Sequence, residues 1–119
     1  MNTTQMVLSS PELFQGKSQM VQDLYQALRD KLNQLGPVQE TMKAISVSFE
    51  NRKRFASALI REHSIKLILR TNHKITSPRI RNREQVAANS FDHTVLISST
   101  RDIDPELMEW LEEAYLAGK

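Results

Sequence analysis

The 119-residue sequence predicts an α+β fold, an antiparallel sheet of about four strands flanked by an N-terminal and a C-terminal helix. Three observations predict it. Apolar residues recur at helical steps near the start of the chain and again at its end, and the stretches between them alternate apolar and polar residues. Consecutive strands joined by tight polar turns pair antiparallel, and helices at both ends of such a run settle on one face of the sheet. The length suits a single domain, 17–119, preceded by an irregular arm, 1–16.

The arm mixes Thr3, Thr4, Ser9, Ser10, Pro11 and Gly16 with a few apolar residues, Leu13 and Phe14 among them, which are expected to dock on the domain or on a second copy of it. From Ser18 to Leu35 the residues Val21, Leu24, Tyr25, Leu28, Leu32 and Leu35 fall three and four apart, so they share one stripe of a helix. Gly36-Pro37 stops it, because glycine accepts the left-handed geometry at a helix end and proline beyond it cannot continue the ladder.

After a turn-like segment, Ile45, Val47 and Phe49 alternate with Ser46 and Ser48, the pattern of a strand with its apolar side in the core. Glu50 to Lys53 forms a turn. Phe55 to Ile60 is apolar on both alternations, so it reads as a strand whose core side stays open. A second turn at Glu62 to Ser64 leads to Ile65, Leu67 and Leu69, which alternate with Lys66, Ile68 and Arg70.

Thr71 to Ser90 breaks both periodicities and reads as a long, arginine-rich loop with a short helix around Arg83 to Ala88. Strand character returns from His93 to Ser98 through Val95, Leu96 and Ile97. Asp102 to Pro105 opens the last helix, since aspartate accepts orphan amide hydrogens and proline suits the first turn. Its stripe is Leu107, Trp110, Leu111 and Ala114, widened by Met108 and Tyr115.

Composition narrows the chemistry. With 39% hydrophobic residues the chain is apolar enough to build a core, and its apolar runs fall well short of the roughly 18 residues of a membrane span. A cytoplasmic protein that does not span a membrane is the expectation. The absence of cysteine removes disulfides, thiolate metal sites and cysteine nucleophiles. Three glycines leave no phosphate-cradling loop, and no serine lies in a Gly-x-Ser-x-Gly turn.

Charge is strongly segregated. Between Arg52 and Arg83 ten basic residues face the single acid Glu62, a local charge of +9 in a chain whose net charge is +2. Six acids crowd Asp102 to Glu113. A concentrated positive surface attracts phosphate-bearing partners, and arginine forks match phosphate oxygens. Solvated turns and blunted sheet edges account for such residues as well. Few aromatic residues accompany them, which disfavours a stacking platform for single strands.

His63, His73 and His93 are too widely spaced for a metal-ligand motif, and no metal or cofactor is assigned. Asp92 precedes His93 on a strand, so the two side chains point to opposite faces. A polar or partly buried histidine is the expectation.

The sequence resembles the domain-of-unknown-function family 5655. The resemblance rests on Asp23-Leu24-Tyr25-Gln26-Ala27-Leu28 leading to Leu35-Gly36-Pro37, on Ile45 to Phe49 with Phe55-Ala56, and on Ile65 to Leu69. His93 to Ile97 and the closing Trp110-Leu111 and Glu113-Ala114-Tyr115 extend it, over residues 17 to 117. It implies a bacterial or archaeal module, found alone or joined to other domains, and carries over no catalytic residues. Arg54, Phe55, Arg79 and His93 are the recurrent positions it implies that are not plainly core.

The function expected from these readings is a non-enzymatic binding or accessory module whose basic face holds an anionic partner, nucleic acid or another phosphate-bearing ligand. Arg52, Lys53, Arg54, Arg79, Arg81 and Arg83 are the candidate contacts, with Phe55 and His93 as pocket candidates. The alternative is a small-molecule-binding or protein-interaction domain acting as a homodimer. An enzyme would need a concave site where His93 and an arginine converge.

Overall fold

A computed structural model of the chain describes residues 13–118. Residues 1–12, most of the arm expected from the sequence, lie outside the described residues, as does Lys119. Of the arm, Leu13 is buried and the Phe14 ring packs on Tyr25 with centroids 5.2 Å apart.

Helix α1 spans Gln19–Asn33. It starts where Ser18 supplies a cap, its Oγ accepting from the Val21 amide at 3.2 Å. Val21, Leu24, Tyr25, Leu28 and Leu32 of the predicted stripe are the buried face, whereas Leu35 lies past the helix end and is only partly buried against the core. Gln34 caps the other end, and the chain leaves through Gly36 at φ 142°. A side chain at Gly36 would be strained and would collide with the Tyr115 hydroxyl.

Six strands follow, two more than the sequence predicts: β1 Gln39–Met42, β2 Ser46–Glu50, β3 Arg54–Ile60, β4 Ile65–Thr71, β5 Ile80–Ala87 and β6 Ser90–Ile97. They pair antiparallel throughout, in the order β1-β2-β3-β4-β6-β5. The segment read as a turn holds β1, a short edge strand. The stretch read as loop with a helix at Arg83 to Ala88 holds β5 and its turn into β6. Nearly every β5 residue is exposed, so no burial contrast marks it in the sequence.

A second correction concerns Ile45. It sits in the reversal between β1 and β2 and is 66% exposed instead of joining the core. Val47 and Phe49 keep the predicted role. Register aligns Val47, Ala58, Leu67 and Val95 in one row across β2, β3, β4 and β6, and Phe49, Ala56, Leu69 and His93 in the next. These rows form the buried face, and they settle the side of β3 that the sequence leaves open. Small alanines at the centre let helices approach the sheet closely.

Helix α2, Pro105–Ala117, begins as predicted, with Asp104 accepting from the Leu107 amide at 3.0 Å and proline in the first turn. It lies on β3 and β4. The Tyr115 hydroxyl donates to the Pro37 carbonyl at 3.0 Å, tying α2 to the exit of α1. Both helices cover one face. On the other, Thr41, Ser48, Ser57, Ile68, Thr94 and Asn82 line up across all six strands, with no helix over them among the described residues.

Candidate functional site

Antiparallel pairing brings the start of β3, the end of β4 and the start of β6 to the same end of the sheet. There α2 ends too, and the Lys53 amide donates to the Gly118 carbonyl at 3.1 Å. Between these parts lies a cleft of about 270 Å³. Lys53, Arg54 and Phe55 supply one wall, Arg70 and Thr71 a second, and Ala114, Ala117 and Gly118 of the helix end a third. Asn72, Asn89 and Ser90 add neutral polar groups.

Three cations therefore line the cleft, and no carboxylate is among its described lining residues. Arg70 is oriented by a two-point bond to Asp92 across the β4–β6 ladder, Nε to Oδ1 at 2.7 Å and Nη2 to Oδ2 at 3.0 Å. That fork leaves Nη1 free to donate elsewhere. Lys53 and Arg54 are exposed and make no ion pair among the described residues, although Glu50 is the cross-strand neighbour of Arg54. The buried Phe55 ring meets Tyr115 edge-on, at 5.3 Å and 86°, and gives this end of the cleft an apolar floor.

The other basic candidates are dispersed. Arg79 has its charge engaged by α2: Nη1 donates to Asp104 at 2.9 Å and to Glu106 at 3.1 Å, while Nη2 donates to the Asp102 carbonyl at 2.7 Å. Its guanidinium also lies 5.7 Å from the Trp110 ring centroid. The Leu107 amide, and after it Arg79, hold the Asp104 carboxyl below its ordinary range. Arg81 and Arg83 stand on exposed β5 beside a separate hollow, away from the cleft lining. Arg52 is exposed just before Lys53 and has no ion-pair partner among the described residues.

His93 does not open onto the cleft. It is fully buried, and its Nε2 accepts from the Ile75 amide at 3.0 Å, which places the ring proton on Nδ1. Among the described residues Nδ1 meets no hydrogen-bond partner of good geometry, although the Leu69 carbonyl attracts its proton. Burial pushes the ring below the usual imidazole range against an opposing influence of the Leu69 carbonyl, and the charges of Arg83 and His73 lower it further. The ring is thus a neutral structural acceptor. Because β6 lies between β4 and β5, segment 72–79 must cross over it, and His93 provides the partner that the crossing Ile75 amide needs. Arg83 completes the attachment by donating to the Ile75 carbonyl at 3.2 Å.

His73 fastens the same segment from outside, its Nε2 bonded to Glu113 on α2 and its Nδ1 3.1 Å from the Lys74 carbonyl. The Glu113 bond, and then the Lys74 carbonyl, raise its pKa. Among the described residues no group of three potential ligands is arranged to hold a metal ion. Nor is any described helix long and apolar enough to cross a membrane.

Arg70, Asn72 and Asn89 line the cleft and Asp92 orients Arg70, and sequence reasoning gave none of the four a binding role. Their meeting depends on β4 pairing with β6, and that register is hidden while β5 is read as a loop.

Six antiparallel strands with two helices on one face, one face open and a basic cleft at one end define a two-layer α+β domain. The chain belongs to the family described as Domain of unknown function (DUF5655), whose model matches residues 11–117. No curated protein and no solved structure matches it.

Proposed function

We propose that this domain is a non-enzymatic binding module that holds an anionic partner, a nucleic acid, at the end of the sheet where β3 begins. The observation that carries this reading is the cleft itself, with Lys53, Arg54 and Arg70 around it and no carboxylate in the described lining. Arg52 extends the positive surface outward. The exposed acids Glu109 and Glu112 lie on α2, so a polyanion is repelled from the helix side and approaches from the strand end. Arg79 supports the fold in this reading and does not contact the partner.

The test is a titration of the protein with short single strands and duplexes at several salt concentrations. Neutralising about three phosphates gives a slope of log affinity against log salt of about −2 to −3. Exchanging Arg52 and Arg54 together for alanine is expected to weaken binding about tenfold or more and to flatten that slope. Affinity indifferent to salt, or unchanged in the double variant, rules the reading out.

A further inference from the structure

We propose that the cleft is a receptor for a phosphate monoester, the terminal phosphate of a nucleic-acid strand, so that the domain recognises strand ends and not only backbone. The inference rests on the nucleic-acid reading above and assigns a specific group to its central feature. Size comes first. At about 270 Å³ the cleft lies just below the roughly 300–1,000 Å³ of pockets that enclose drug-sized ligands. It admits a phosphate with its adjoining sugar, whereas a duplex needs an extended track.

Shape and charge agree with an end group. The last turn of α2 walls the cleft through Ala114, Ala117 and Gly118, so a strand entering from the Arg52 side meets a barrier instead of a continuing groove. Arg81 and Arg83 flank a different hollow and do not prolong the path. A phosphate monoester carries about −1.5 to −2 at pH 7, against −1 for an internal diester. Asp92 offsets the charge of Arg70, so Lys53 and Arg54 carry the net positive charge of the lining and favour the end over the interior of a strand. The negative end of the α2 dipole, equivalent to about half a charge, opposes this but does not cancel two cations.

Arg70 gives the site direction. Asp92 holds its Nε and Nη2, so the guanidinium plane is fixed before any ligand arrives and Nη1 remains to donate. Asn72, Asn89 and Ser90 offer neutral donors at the rim. Lys53 is tethered by its backbone to Gly118 while its ammonium has no ion-pair partner among the described residues. Preset donors of this kind reduce the ordering cost of binding.

The experiment compares one short oligonucleotide in three forms, with a 5′-phosphate, a 3′-phosphate or hydroxyls at both ends, by fluorescence anisotropy at fixed ionic strength. Inorganic phosphate and a mononucleotide serve as competitors. The expected result is about tenfold tighter binding of at least one phosphorylated form, a preference that grows as pH rises through about 6 with the second ionisation of the ester. Arg54→Ala and, separately, Lys53→Ala are expected to remove the preference. Both residues are exposed, and circular dichroism checks that each variant folds. Arg52→Ala is expected to weaken all three forms alike. Equal affinity for the three forms, with salt-dependent binding retained, overturns the end-recognition proposal and leaves the binding module standing. Binding of no form overturns both. A mononucleotide that binds as tightly as the phosphorylated strand overturns the assignment to strands and makes the cleft a site for free phosphate esters.

Discussion

Strands β4 and β5 both pair with β6 and have nearly the same length, seven and eight residues, yet one is plain in the sequence and the other is invisible there. In β4, Ile65, Leu67, Leu69 and Thr71 are buried in strict alternation with half-buried neighbours. In β5 only Ile80 is partly covered. The difference lies outside the strands themselves. β4 runs under α2, whereas β5 is an edge strand with solvent on both faces and one free row of backbone groups. Periodicity in a sequence thus records the layer that covers a strand, and an uncovered strand leaves none.

The comparison can be pressed from the strong side first. Leu67→Ala in β4 opens a void under α2 and is expected to destabilise the protein by about 2–5 kcal/mol, measured by urea unfolding. A loss below about 1 kcal/mol would show that the central row is not closely packed. Next comes His93→Ala on the strand between the two, which removes buried volume and strands the Ile75 amide, at about 2–4 kcal/mol. Arg79→Ala, where the crossing segment is fastened to α2, is expected to cost about 1–2 kcal/mol, since a half-exposed network is screened by solvent.

Smaller effects come from pH. The raised pKa of His73 adds stability that is fully present below its unfolded value of about 6.5 and is lost as pH rises through the folded value. His93 acts in the opposite sense: its lowered folded pKa means stability falls as pH drops below about 6.5, because the unfolded ring takes up a proton more readily. The two act on opposite sides of about pH 6.5. His73→Gln is therefore expected to remove the loss of stability that occurs as pH rises above about 6.5 while leaving the acid limb in place, and an unchanged profile above that pH would remove the Glu113 bond from the account. Least of all, Arg81→Ala on β5 is expected to shift stability by no more than about 0.5 kcal/mol.

What was legible followed the same rule. Both helices could be read because apolar stripes and, at Asp102 to Pro105, capping residues are local signals, while the cap at Ser18 was not singled out. β2 and β4 could be read from their alternation, and β3 from its apolar run between two polar turns, without its core side. Ile45 misled because alternation continues past the point where the chain reverses, and apolarity alone does not reveal a turn. For the site, the sequence showed an excess of positive charge but not its partners. Arg79 and Arg54 look alike in the chain. Pairing separates them: one is enclosed by Asp104 and Glu106, the other borders the cleft. The separation of Asp92 from His93 by strand alternation was correctly anticipated, whereas the bond of Asp92 to Arg70 required the β4–β6 register.

The strand order carries a mechanical consequence. Helix α2 follows β6 in the chain but rests on β3 and β4, so the chain leaving β6 is anchored on the far side of the β4–β6 seam, the one place in the sheet where paired strands are not sequence neighbours. It acts as a bolt on that seam. Force applied at Gly118 peels α2 first, and only then loads the β4–β6 ladder, after which the β5–β6 hairpin parts from the meander as a unit. The unfolding trace is expected to show two steps, and a covalent staple between α2 and β3 should merge them into one.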